Sequence, residues 1–216
     1  FNRLKIKIKK EIVTFDGNYY DVSSKTACHV NNKDWNNLIN DNETIVLDVR
    51  NDFEYKMGTF KNSINPETNS FSEFKKFINS NLSTDKKKKI AMFCTGGIRC
   101  EKASSYMLKK GFRNLFQLKG GILKYLEDTP KVKSSWKGEC FVFDNRVSVR
   151  NELEKGSYKI CHGCRYPISR KDRKSYKFEE GVTCPKCFEK LSKDKKKNLR
   201  ERNKQIQISK KKGLFN

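Results

Sequence analysis

Acidic residues are scarce in this sequence: 25 Asp and Glu stand against 48 Lys and Arg, leaving the 216-residue chain with a formal charge of +23. Proline is scarcer, at 4. No apolar run approaches the ~20 residues that cross a bilayer, and no charged-then-apolar stretch opens the chain. Neither a membrane span nor a secreted precursor is therefore expected from it as given, and the cytoplasm is the expected compartment. Hydrophobic content is low, at 35%, yet 15 Phe and 8 Tyr suffice for a core. Wholesale disorder is excluded on that count, a disordered tail is not. The length allows one or two domains of ~100–150 residues.

The charge itself is not evenly spread. Lys outnumbers Arg 37 to 11 and Asn reaches 20, the pattern an AT-rich coding bias produces at surface positions without any selected partner. Residues 151–216 nevertheless hold 20 basic and 8 acidic side chains, whereas residues 1–150 hold 28 and 17. More than half of the excess sits in the last third, which points to a polyanionic partner rather than to plain solvation.

Eight cysteines suggest a disulfide framework only until their spacing is read. Four make two CxxC pairs and two flank a Gly-Gly-Ile-Arg loop, the usage of metal ligands and reactive thiols in a reducing compartment. Cys28 and His29 fall in a polar, turn-rich stretch from Asp16 to Lys33 and are assigned nothing. The chain begins with Phe1, and Leu4, Ile6 and Ile8 alternate with lysines as in a half-buried strand. With nothing to pair with, that strand reads as the remnant of a missing preceding domain, with residues 1–22 as remnant and linker.

Residues 30–128 read as an α/β domain. Asp34 is expected to cap a helix carrying Trp35, Leu38 and Ile39 on one face. Thr44 to Asp48 and Lys89 to Phe93 are buried parallel strands, and Leu115 to Leu118 is a third. Phe71, Phe74, Phe77 and Ile78 have helical spacing. A further helix is expected from Cys100 to Lys110, stopped by Gly111, and a short one from Ile122 to Leu126. Strands alternating with helices imply a parallel sheet covered on both faces, with ligands beyond the strand carboxyl ends, where Asp48 and Cys94 stand. Residues 131–190 read as a separate cysteine-bearing region with a strand-like patch at Cys140 to Phe143. Residues 191–216 read as a helix trailing into a basic, poorly ordered end.

Cys94-Thr95-Gly96-Gly97-Ile98-Arg99 is the sharpest local signal. A cysteine leaving a buried strand into a Gly-containing loop and then a helix builds an anion cradle, in which loop amides and the positive helix end favour thiolate over thiol. Arg99 adds a fixed positive charge. Asp48 and Arg50 are expected to form an ion pair bracing the loop. Asp52 and Glu54 read as helix-start and solvent residues, and Cys100 either as a resolving thiol or as a small packer.

Cys161-His162-Gly163-Cys164 and Cys184-Pro185-Lys186-Cys187 form a C-x2-C-x19-C-x2-C array. Cys161, Cys164, Cys184 and Cys187 suit one structural Zn2+ with no open position. The alternative is four free or disulfide-bonded thiols. Between the pairs lie Arg165, Arg170, Lys171, Arg173 and Lys174 with Tyr166 and Tyr176 interleaved, a mixture that stacks on single-stranded bases and neutralises phosphates. The alternative there is a solvated surface.

Leu47 to Arg50 with Glu54-Tyr55 and Gly58, Phe93 to Arg99, Gly111-Phe112 and Leu118 to Ile122 together resemble the rhodanese family over about residues 30–128. The six-residue loop suits persulfide chemistry, since the related phosphatases carry one residue more. Gly58-Thr59-Phe60 departs from the Gly-His-Ile of many rhodaneses. A narrower resemblance runs through Cys94 to Ser104, Leu118 to Leu126, Gly138 to Asp144 with Arg146-Val147, and both CxxC pairs. These stretches resemble the bacterial tRNA uridine hydroxylases that carry a rhodanese domain. That resemblance implies a preceding ferredoxin-like domain, tRNA as partner and molecular oxygen as co-substrate. It also implies formation of 5-hydroxyuridine at the wobble position, with Cys94 as the active-site cysteine. No organic cofactor is evident. A persulfide-carrying sulfurtransferase and a non-catalytic RNA-binding module are the alternative functions.

Overall fold

Thr44–Asp48 (β2) and Lys89–Phe93 (β4) are the most apolar short runs of the chain, and they pair in parallel with Leu47 opposite Met92 and Asp48 opposite Phe93. The computed structural model describes residues 6–9, 11–20, 22, 25–82 and 86–213. The central sheet has the order β1-β5-β4-β2, adding Cys28–Val30 (β1) and Leu115–Leu118 (β5) in parallel. Alternate side chains of each buried strand leave on opposite faces, so two cores form. One holds Leu47, Val49, Ile90 and Met92 against Phe74–Asn81 (α3) and Ile98–Lys109 (α4). The other holds Val46, Ala91 and Phe93 against Asn32–Asn40 (α1) and Gly121–Asp128 (α5). The parallel sheet covered by helices on both faces that the sequence led one to expect is the architecture observed.

The second core is aromatic. Phe60 stands edge-on to Trp35, Phe93, Tyr125 and Trp136 at centroid separations of 4.8–5.7 Å. Full burial of each such ring contributes roughly 1.5–3 kcal/mol. Phe60 and Trp136 meet because Gly58–Phe60 (β3) pairs antiparallel with Trp136–Gly138 (β6). Between β2 and β3 runs a short helix, Asp52–Met57 (α2).

Several local expectations shift. Asn31, not Asp34, occupies the α1 cap position, and Asp34 lies within the first turn. Cys28 and His29 belong to an edge strand rather than a loop. Helix α4 begins at Ile98, so Arg99 and Cys100 both sit in its first turn. Residues 6–9 form no strand, and Ile6 and Ile8 are exposed. Leu4 lies outside the described residues.

The chain divides into two compact units, residues 1–142 with 149–155, and residues 143–148 with 156–216. The two-residue strands Cys140–Phe141 (β7) and Ser148–Val149 (β8) fall where the chain passes from one to the other. In the second unit Lys159–Ile160 (β9) and Pro167–Ile168 (β10) form an antiparallel hairpin. Its basic end is a 19-residue helix, Lys193–Lys211 (α6), in the segment where a helix trailing into a basic end was expected. Ser192 caps it by accepting the Lys195 N–H, Leu199 is buried, and Arg200 pairs with both carboxylate oxygens of Glu179. Residues 214–216 lie outside the described residues. Among the described residues, no helix is long and apolar enough to cross a membrane.

Candidate active site and metal centre

Strand β4 delivers Cys94 at its carboxyl end, and the chain must then turn at once into α4. Gly97 makes that turn at the helix cap with φ +92°, a conformation costly for any residue with a side chain. Its N–H donates to Cys94 Sγ at 3.2 Å. The backbone N–H groups of Arg99 and Cys100, in the first turn of α4, also donate to the sulfur. The loop amides therefore face inward, as the cradle reading requires. From the other side, the first turn of α5 donates to the loop: Ile122 N–H to Cys94 O and Leu123 N–H to Thr95 O, at 3.0 and 3.1 Å. That approach leaves no room at Gly121, where a Cβ would lie 2.6–2.8 Å from Cys94 O, Thr95 O and Gly97 N.

Cys94 is buried. Burial alone would push its thiol up. The hydrogen bond from Cys100, the charge of Arg99 and the amides of Cys100 and Arg99 outweigh burial and bring the pKa down to about 6. Cys100 shows the complement: burial and the neighbouring Cys94 sulfur hold it protonated, well above the ordinary thiol value. Cys100 is thus neither an idle packer nor an ionised partner, but a hydrogen-bond donor to the reactive sulfur.

Arg99 does not stand alone as a positive charge. Its two terminal nitrogens reach Glu54 Oε2 and Oε1 at 2.7 and 2.8 Å, and Nη2 also reaches Thr95 Oγ1 at 3.1 Å. Glu54 is fully buried, which corrects its reading as a solvent residue. Burial would raise its pKa, but the Arg99 hydrogen bonds and charge, followed by the charge of Arg50, hold it below the ordinary value. Its Oε2 also accepts the Asn51 N–H, fastening the start of α2. The sequence carried one clue to Glu54. Its place in the first turn after the β2 carboxyl end puts it on the ligand-binding edge of the sheet.

Asp48 and Arg50 form the expected ion pair, both side chains fully buried. Asp48 accepts from Arg50 Nε at 2.9 Å and from Thr59 Oγ1 at 3.0 Å, so the threonine at the departure point supports the brace. Arg50 also donates to Gly58 O and lies over the Trp136 ring. Two buried acid–base pairs, Glu54–Arg99 and Asp48–Arg50, thus stand at this edge of the sheet, and each cancels in net charge. The thiolate is held by backbone dipoles, the Cys100 thiol and the nearer end of an already paired guanidinium. Gly96 and Ile98 are exposed on the same loop. Lys102, one turn on, donates to Glu11 and to Val13 O.

In the second unit, Cys161, Cys164, Cys184 and Cys187 come together with all four sulfurs within 4.8 Å of one another. The separations Cys161–Cys187, Cys164–Cys184 and Cys184–Cys187 are 3.8, 3.7 and 3.8 Å. A tetrahedron of thiolates with ~2.3 Å Zn–S bonds has edges of about 3.8 Å, so the four side chains fit a zinc ion. Each pair is a tight turn: Arg165 N–H donates to Cys161 O with Arg165 at φ +63°, and Cys187 N–H donates to Cys184 O. His162 is exposed and outside the cluster. Of the candidate RNA contacts, Arg165, Arg170, Lys171 and Lys174 are exposed. Arg173 is half-buried and donates to Ser157 O at 3.0 Å, a bond within the unit itself.

Residues 31–128 match one family model, the rhodanese-like domain. Among solved structures, the chain is similar to a rhodanese-related protein of Thermoplasma volcanium, with 30% identity over 48% of this chain and 95% of that one and a TM-score of 0.37. It is also similar to a single-domain sulfurtransferase of Saccharomyces cerevisiae, at 21% identity over 48% and 91% of the two chains and a TM-score of 0.39. A rhodanese-like domain protein of Staphylococcus aureus is 22% identical over 45% and 90%, with a TM-score of 0.37.

Proposed function

We propose that this chain, whose residues 31–128 are a rhodanese-like domain, hydroxylates the wobble uridine of tRNA to 5-hydroxyuridine. Molecular oxygen is the co-substrate and Cys94 the reacting thiol. The observation that carries this reading is the pairing of two features in one chain. An ionisable, amide-ringed thiol stands in the family domain, and beyond that domain the chain adds a four-cysteine cluster set among exposed cations. Persulfide transfer to a small acceptor has no use for the second feature. A polyanionic macromolecule does, and the residues of both features are those that resemble the rhodanese-bearing tRNA hydroxylases.

In this reading the Cys94 thiolate adds to C6 of uracil and makes C5 enolate-like. One atom of oxygen joins C5; the other leaves as water, with two electrons and two protons from an enediol or dithiol reductant supplied from solution. Loss of the C5 proton and expulsion of Cys94 restore the ring. A thiol with a pKa near 6 is both largely ionised at neutrality and a good leaving group, and the amides of Gly97, Arg99 and Cys100 stabilise it in both roles. Zn2+ on Cys161, Cys164, Cys184 and Cys187 braces the second unit, while Arg165, Arg170, Lys171 and Lys174 face the RNA.

A second reading, persulfide carriage by Cys94, is favoured by one observation: the inward amides of a six-residue loop suit a terminal sulfur anion as well as a thiolate. Nucleoside analysis of tRNA incubated with the protein and ascorbate as reductant, under oxygen and under nitrogen, separates the two. Oxygen-dependent 5-hydroxyuridine, lost in Cys94→Ser, is expected. A protein heavier by the mass of one sulfur, a thiolated product and indifference to oxygen would establish the sulfurtransferase instead.

A further inference from the structure

The carboxyl ends of β1 and β5 open into a cavity of about 1070 Å³. Residues at the start of α1, Lys119 and Gly120 after β5, and the end of α5 line it. Its charge is one-sided, with Lys33, Lys119, Lys124 and Lys133 against Asp128. Lys124 is neutralised by Glu127 and Asp128. Lys33, Lys119 and Lys133 have no carboxylate partner among the described residues. Asn32, also in the lining, gives its amide nitrogen to Asp128 and Lys124 O, and its Oδ1 is buried without a partner.

We infer that this cavity binds the sugar–phosphate backbone of the RNA strand whose base reacts at Cys94. The inference rests on the RNA reading above and adds the place on the first unit where the strand lies. Three unpaired ammonium groups are phosphate ligands that carry no sequence information. Position supplies the rest. β5 is the neighbour of β4 in the sheet, and neighbouring strands lie ~4.8 Å apart, so the cavity and Cys94 share one edge of the sheet. The first turn of α5 ties them together, with Gly120 facing the cavity and Ile122 and Leu123 bonded to the loop.

The test uses a synthetic RNA hairpin with uridine at the wobble position of its loop, bound to the full chain and followed by fluorescence anisotropy across a salt series. One variant carries Lys33→Glu, Lys119→Glu and Lys133→Glu, and a milder one carries Gln at the same three positions. A control carries Lys61→Glu, Lys76→Glu and Lys86→Glu, three exposed lysines outside the cavity lining. Loss of three single-strand phosphate contacts lowers the salt slope by about 2 and affinity by at least about tenfold near 0.1 M salt. The Gln variant is expected to fall in the same direction, and the control to change less than about threefold. Cavity variants that bind like the control would overturn the inference. If they also form product normally, the RNA reading stands without it. Wild-type protein that does not bind the hairpin overturns both, and cavity-dependent binding without product formation refutes the chemistry alone.

Discussion

Around Cys94 stand two apolar clusters in which Trp35, Phe60, Phe74, Phe93 and Tyr125 are wholly buried. Around the paired cysteines the buried cluster is Cys161, Ile168, Cys184 and Cys187 themselves, with Phe178 and Leu191 half-buried at its edge. The first unit completes a core and then spends one strand end on a single sulfur atom. The second has little core apart from its sulfurs. A cluster of that size does not offset the entropy of ordering some sixty residues, so we expect its fold to depend on a metal ion held by the four sulfurs. One cysteine site is thus a product of its fold, and the other is expected to be a cause of it.

The sharpest way to break that contrast is to remove the metal. Structural zinc contributes ~10–16 kcal/mol of apparent free energy in small four-ligand modules, far more than any other single contact here. Treating the zinc-loaded full chain with a strong chelator should abolish amide protection in the second unit, including α6, while leaving that of β2, β4, β5 and α4 intact. The long helix goes too, because it is polar all round and is docked by Leu199, the Arg200–Glu179 pair and the Asn203 bond to Glu180 O. Segment-resolved hydrogen exchange reads this directly. Retained protection after chelation would show that the second unit folds on its packing.

A smaller effect is expected from Glu54→Gln. The substitution leaves the Arg99 guanidinium buried without its carboxylate, and breaking such a pair costs about 3–5 kcal/mol. It also uncovers a positive charge beside Cys94, so the thiol should become more acidic even as the first unit melts earlier. The second unit should keep its stability. Thermal unfolding with a pH series of Cys94 alkylation checks both halves. A higher thiol pKa in the variant would mean that Glu54 positions the loop and does not merely neutralise Arg99.

What could be read without coordinates follows the same division. β2, β4 and β5 were legible because parallel strands buried on both faces are continuous apolar runs, and the cysteine pairs because metal ligands keep short, fixed spacings. β1 was not, since three residues at a sheet edge, with Cys28 and His29 exposed, leave no periodic trace. Glu54 was missed because a carboxylate one turn into a helix reads as solvent-facing. Its burial depends on Arg99, 45 positions away, which no local pattern encodes. The start of α4 was set two residues late because Gly96-Gly97 reads as loop, while the helix begins directly after the second glycine.

The mildest prediction concerns the one thiol that serves another. Cys100→Ala removes the donor to Cys94 Sγ and replaces a small buried group by one of similar bulk, so packing changes little. A hydrogen bond to a charged acceptor contributes about 1.5 kcal/mol, and one pH unit corresponds to ~1.4 kcal/mol. The alkylation midpoint of Cys94 should therefore rise by roughly one unit from its value near 6. The stability profile should move with it. In the wild type, Cys94 is more acidic folded than unfolded, so its ionisation stabilises the native state fully above the ordinary thiol pKa near 9. That stabilisation fades as pH falls and is gone below about 6. In Cys100→Ala the same decline should end about one unit higher, with β2, α3 and the four-cysteine unit unaffected. Peptide-mapped alkylation across pH 5–9 measures the shift. An unmoved midpoint would assign the whole depression to Arg99 and the loop amides and leave Cys100 as packing.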